Sequence, residues 1–86
     1  MFREVNQSIK VQAQFQSGQV KPINFTWNNS TFLVNKIVFQ HTHRLGRATL
    51  YSFSVFSNQV TYELQFNNQT LVWKLLKLYE SPDPSC

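Results

Sequence analysis

The stretch INFTWNNSTFLV, residues 23–34, alternates apolar and polar side chains on both sides of a pair of asparagines. Alternation with a period of two is typical of a β-strand with one buried face, since successive side chains point to opposite sides. Asn28 and Asn29 tolerate positive φ and suit a two-residue turn. That turn sets Phe25 opposite Phe32 and gathers the apolar residues on one face. The stretch therefore predicts an antiparallel hairpin.

The same alternation recurs along most of the chain and predicts further strands. It covers residues 9–15, 51–55, 60–66 and 71–75. Ser57–Asn58 and Asn68–Gln69 are natural two-residue turns between three of these stretches. With the first turn, Val55 faces Val60 across the strand pair, so the apolar pattern and the turn spacing agree.

The segment HTHRLGR, residues 41–47, is expected to be the tip of another hairpin. A three-residue turn, Arg44–Leu45–Gly46, would set Phe39 opposite Tyr51 in the core, with the glycine in the left-handed conformation. The arginines around it would then point into water. The apolar positions change from even to odd numbers across Asn35–Lys36, and a β-bulge there would restore the facing and bend the strand.

These patterns predict an all-β fold, an antiparallel meander of about six strands curled into a small half-open barrel. Residues 1–80 are expected to form a single β domain, and residues 81–86, SPDPSC, a flexible C-terminal tail. The expected core contains Phe25, Trp27, Phe39, Phe53, Tyr62, Leu64 and Trp73.

Composition narrows the class of protein. No apolar run approaches the roughly 18 residues of a membrane span, and the N-terminus has no apolar signal-peptide core, so a cytoplasmic protein without a membrane partner is expected. Cys86 is the single cysteine, so no internal disulfide forms.

The net charge is +4, and no acidic residue occurs from Val5 to Tyr62. Such a field attracts polyanions or acidic partners, although it also simply keeps a small protein in solution.

The sequence offers little for catalysis or metal binding. His41 and His43 project from one face of a strand and resemble a zinc site, but a third ligand is missing apart from the distant Cys86. Glu63 and Glu80 are single carboxylates rather than a pair suited to acid–base catalysis. We therefore expect a protein that is not an enzyme and that uses neither a metal nor another cofactor.

The chain from Pro22 to Glu80 resembles a family of small uncharacterised bacterial proteins. The resemblance is carried by the segments FTWNNSTFLVNKI, YELQF, VWKL and YE. Many members of that family have Gly-Arg in the turn after the first Trp, where this chain has Asn28, Asn29 and Ser30. Some relatives are linked with error-prone DNA polymerases of the Y family, so the resemblance implies a context of DNA repair.

Two functional hypotheses follow from these features. The first is a non-enzymatic binding module that contacts nucleic acid or another polyanion through its basic hairpin, with the histidines adding charge in mildly acidic solution. Its site residues would be Arg44, Arg47, Lys36, His41 and His43. The alternative is a protein-interaction or homodimerising domain that uses an apolar sheet face or a strand edge.

Overall fold

The computed structural model describes residues 2–80, apart from the side chain of Phe2, and contains strands and turns. The strands are β1 (Phe2–Gln16), β2 (Gln19–Trp27), β3 (Ser30–Leu33), β4 (Lys36–Leu45), β5 (Ala48–Ser57), β6 (Val60–Asn67) and β7 (Val72–Glu80). The tail expected at residues 81–86 lies outside the described residues.

All neighbouring strands are antiparallel, and they form one sheet in the order β3-β2-β1-β7-β6-β5-β4. The sheet is curled into a half-barrel, which confirms the predicted fold class. Its two edge strands, β3 and β4, follow each other in the chain. At this junction the Val34 N–H donates to the Ile23 carbonyl and the Asn35 N–H donates to the Phe56 carbonyl. The chain thus pairs with β2 before this junction and with β5 after it. The single bent strand expected across Asn35–Lys36 is therefore two strands, β3 and β4, and the sheet has seven strands rather than about six.

The hairpin of residues 23–34 forms as its sequence predicts. Asn28 and Asn29 adopt φ values of 55° and 62°, so both central residues of the turn are left-handed. Phe25 pairs with Phe32, and their rings stack with centroids 5.1 Å apart and planes inclined by 15°. The stack buries Phe25 completely and links this hairpin to the core.

The predicted registers of the β5–β6 and β6–β7 strand pairs are each wrong by two residues. The β5–β6 turn is Asn58–Gln59, where both φ values are positive, so Val55 pairs with Tyr62 instead of Val60. Residues 68–71 form a longer loop instead of the expected two-residue turn between β6 and β7. Because a shift of two residues keeps each side chain on the same face, the inward-facing residues up to Leu75 are unchanged. A further irregularity between Leu75 and Lys77 turns Leu78 into the core.

The predicted turn length and bulge position of β4 are wrong, and the error changes the side of the sheet on which its residues lie. The turn contains only Gly46–Arg47, with Gly46 left-handed at φ 62° as expected, and the register shifts between Ile37 and Phe39 rather than at Asn35–Lys36. The extra residue, Val38, reverses the sides of every residue beyond it. Phe39 consequently lies opposite Ser54 on the outer face and is 60% exposed, so it is not a core residue.

The core fills the concave side of the half-barrel. Its buried cluster consists of Phe25, Phe53, Val55, Tyr62, Leu64, Phe66, Trp73, Leu75 and Leu78. Trp27, also expected in the core, is half-buried and packs against this cluster. Its indole N–H donates to the Gln7 side chain at 2.9 Å, and the Arg3 guanidinium lies 5.6 Å from its ring centroid.

The buried Tyr62 hydroxyl makes the stability of the fold depend on pH in the alkaline range. Burial, and secondarily the negative charge of Glu80, raises the pKa of the Tyr62 hydroxyl above its ordinary value of 10.0. Above about pH 10 the unfolded chain therefore releases this proton more readily than the folded chain. The stability linked to Tyr62 is complete below that pH and is lost as the pH rises through the folded-state pKa of Tyr62.

We expect Tyr62→Phe to lose less stability between pH 9.5 and 11 than the parent, as measured by urea unfolding. Parallel pH curves would contradict this.

Candidate functional site

The β4–β5 hairpin carries two exposed arginines at its end. Arg44 pairs with Thr49 in the last part of the ladder, and Arg47 lies in the turn. Both side chains are exposed, as the sequence predicts. We call Arg44, Gly46 and Arg47 the basic tip. Glycine supplies the positive φ at the first turn position, which is the pattern of a type II′ turn.

The other predicted site residues lie elsewhere on β4. His41 and His43 are exposed on the outer face, opposite to the face that carries Arg44. Lys36 is at the start of the strand, about 26 Å from Arg44 at the usual rise of about 3.3 Å per residue. The structure therefore brings the two arginines together, places the histidines behind them and leaves Lys36 at the far end.

The histidines stand beside an aromatic ring. The His41 ring centroid is 5.5 Å from that of Phe39, its neighbour on the outer face. Within residues 2–80, His, Cys, Asp and Glu side chains do not form a group of three that could hold a metal ion. Cys86, considered above as a third ligand, lies outside the described residues.

The acidic residues of the described chain lie away from the basic tip. The Tyr79 hydroxyl donates to Glu63 at 3.0 Å, and the Lys77 ammonium lies 3.8 Å from the same carboxylate. The hydrogen bond with Tyr79, followed by the charge of Glu63, raises the pKa of Lys77. Glu4 pairs with Lys77 in the ladder between β1 and β7.

The separation of charge follows from strand direction. Glu80 pairs with Val60, and Glu63 pairs with Ser54, which is about 23 Å from Arg47 along β5 at about 3.3 Å per residue. Lys21, exposed on the β1–β2 hairpin, lies nearer the start of β4, where it lines a cleft with Lys36. Over residues 2–80, the carboxylates therefore lie toward one end of the half-barrel, and the two arginines of the basic tip lie at the other.

An open pocket of about 430 Å³ lies at the tip end of the half-barrel. We call it the mouth pocket; its lining residues are Phe15, Gln16, Ser17, Gly18, Gln19, Val20, Tyr51, Phe66, Asn68 and Leu71. Its floor is aromatic: the Phe66 ring centroid lies 5.8 Å from that of Phe15 and 6.0 Å from that of Tyr51. Its volume is in the range of sites for small molecules, about 300–1,000 Å³.

Hydrogen bonds join the rim of this pocket to the basic tip. The Thr49 N–H donates to the Asn68 side-chain oxygen at 2.8 Å, and the Asn68 N–H donates to the Thr49 carbonyl at 3.2 Å. The Gln69 side-chain amide reaches the Arg47 carbonyl at 3.5 Å. Tyr51, in the pocket, pairs with Thr42, which shares its face of β4 with Arg44. The mouth pocket and the basic tip are therefore parts of one continuous surface.

Sequence reasoning identified the arginines but missed the pocket. Phe15 continues an alternating apolar strand, so its pattern is that of an ordinary core residue, yet it is 62% exposed. The available signal was the position of Phe15 near the end of β1, two residues before the Ser17–Gly18 turn, where the strand runs beyond the core. Nothing local in the sequence reveals that Tyr51 and Leu71 meet it.

Comparison with known proteins identifies no relative: no family model matches the chain, and neither a curated protein nor a solved structure is significantly similar to it. Among the described residues, no helix is long and apolar enough to cross a membrane.

Proposed function

We propose that this protein is a non-enzymatic binding module that contacts nucleic acid through its basic tip. The observation that carries the proposal is the separation of charge, with Arg44 and Arg47 at one end and the carboxylates of residues 2–80 toward the other. A cytoplasmic location and a role near DNA repair are part of the proposal, the latter because of the family resemblance. Neither catalysis nor a cofactor is required for it.

The physical basis is the release of counterions. A cation that contacts a phosphate displaces an ion condensed on the nucleic acid, so the binding constant falls with salt concentration. Arg44 and Arg47 suit this role because a guanidinium can donate two hydrogen bonds to one phosphate. His41 and His43, on the back of the hairpin, would add to the attraction when protonated.

The proposal predicts a strong dependence of affinity on salt. Three phosphate contacts to a single strand give a slope of about −2.1 for log affinity against log salt, so binding should weaken about 20-fold between 50 and 200 mM. The measurement is fluorescence anisotropy with a labelled 12-nucleotide oligodeoxythymidylate. An affinity that stays constant across this range would contradict the proposal.

Exposed apolar residues on the sheet edges favour a second candidate, binding of a protein partner or a second copy. Val38 and Phe39 on β4 and Leu33 on β3 are all more than half exposed, and both strands are edges of the sheet. An extended segment that paired with β4 would cover these side chains and bond to the edge backbone. Self-pairing would bring Lys36, Arg44 and their copies onto one ladder, so the charge favours an acidic partner segment over a homodimer.

A further inference from the structure

We propose that the mouth pocket receives an unpaired base of single-stranded nucleic acid while the basic tip holds the adjacent phosphates. The inference rests on the proposed function and names its substrate class. It predicts that single strands bind more tightly than duplexes, because paired bases are stacked inside the double helix and cannot enter the pocket.

The aromatic groups of the pocket suit a base. Phe15 leaves most of its surface in water although it lies beside Phe66 and the core. Stacking on an exposed ring is the common way in which proteins hold unpaired bases, and it tolerates any base because each has a π-face. Gln16 and Gln19 on the rim add amide groups that can bond to base edges.

Leu71 adds an independent observation. It lies in the pocket wall with φ 60°, a left-handed conformation that is unfavourable for leucine, and it is 71% exposed. The loop holds it there through hydrogen bonds to Asn67, whose carbonyl accepts from the Leu71 N–H at 2.7 Å and whose side chain accepts from Gln69 and Thr70. The free protein gains little burial from this arrangement, whereas a ligand in the pocket would cover the side chain.

Charge complementarity determines which occupant fits. The lining residues of the mouth pocket include no carboxylate, and their rim is bonded to the Arg47 turn. Arg44 lies on the pocket side of its strand, two positions beyond Thr42. An apolar, amide-rimmed cavity next to guanidinium groups matches a nucleotide, in which a flat base and an anionic phosphate are joined by a short sugar.

The test compares Phe15→Ala with Phe39→Ala, a matched control of the same residue type, equally exposed on the outer face. Each protein is titrated with three labelled probes: the 12-nucleotide oligodeoxythymidylate, a strand of equal length whose bases are replaced by hydrogen, and a duplex. The parent and Phe39→Ala should bind the thymidylate strand about 5- to 160-fold more tightly than the base-free strand, the usual range for a stacked base. Phe15→Ala should bind both strands equally, at the parent's affinity for the base-free one.

Leu71→Asn provides a second variant that relieves backbone strain, and it should likewise lose part of the preference for bases. Thermal melts verify that each variant is folded. Equal binding of all three probes by the parent, or unchanged binding by Phe15→Ala, would overturn the base pocket and leave phosphate binding intact. Absence of salt-dependent binding to every probe would overturn the proposed function and this inference with it.

Discussion

Trp73→Ala is expected to remove a large part of the protein's stability against unfolding. Trp73 is only 7% exposed, pairs with Phe66 and has its ring centroid 4.9 Å from that of Phe66 and 5.8 Å from that of Phe53. Truncation of a buried tryptophan costs about 3 to 5 kcal/mol, through lost burial and the cavity that remains. A domain of this size has a free energy of unfolding on the order of 4 to 13 kcal/mol, so one substitution removes a large part of it.

The measurement is a denaturant titration followed by circular dichroism, with Phe39→Ala as the control. The sequence pattern assigns both residues to the core, whereas the structure puts Phe39 on the outer face. Phe39→Ala should therefore change the free energy of unfolding by less than about 0.5 kcal/mol, as is usual at the surface. A melting temperature of Trp73→Ala within a few degrees of the parent would refute the core, and a large loss in Phe39→Ala would refute the register of β4.

The sidedness of most strands was predictable because it depends only on the parity of positions. Two turns were wrongly assigned, yet Val55 and Phe66 stayed inside, since both errors shifted the register by two residues. Parity fails where a strand contains an extra residue. This happens at Val38 in β4 and between Leu75 and Lys77 in β7. The position of Val38 depends on how β4 leaves β3 and joins β5, which is a tertiary property that local alternation does not encode.

The candidate site was predictable to the same extent. The glycine turn and its flanking arginines form one local motif, so their exposure followed from the sequence. The mouth pocket is made from two hairpins and a loop that are far apart in the chain, Phe15 from the first, Tyr51 from another and Leu71 from the loop. The sequence pattern predicted the two-residue turn Asn68–Gln69 and put Leu71 in the next strand, whereas Leu71 lies in the loop that lines the pocket.

Arg44→Ala/Arg47→Ala should bind single-stranded DNA about 25-fold more weakly than the parent in 0.1 M salt. At that concentration each lost phosphate contact is worth a factor of roughly 5, from counterion release on a single strand. Both side chains are exposed and make none of the core contacts, so the variant should melt at the parent's temperature within a few degrees.

The matched control for this prediction is Lys10→Ala/Lys74→Ala, which lowers the net charge of +4 by the same amount from exposed positions away from the tip. Lys10 pairs with Thr26 and Lys74 with Gln65, so both lie along the body of the sheet. If position governs binding, the control should lose only a few-fold in affinity while the arginine variant loses about 25-fold, as measured by anisotropy with the same oligonucleotide. Equal losses in the two variants would mean that DNA responds to net charge alone. An arginine variant that binds as well as the parent would remove the basic tip from the binding surface and favour the strand-edge alternative.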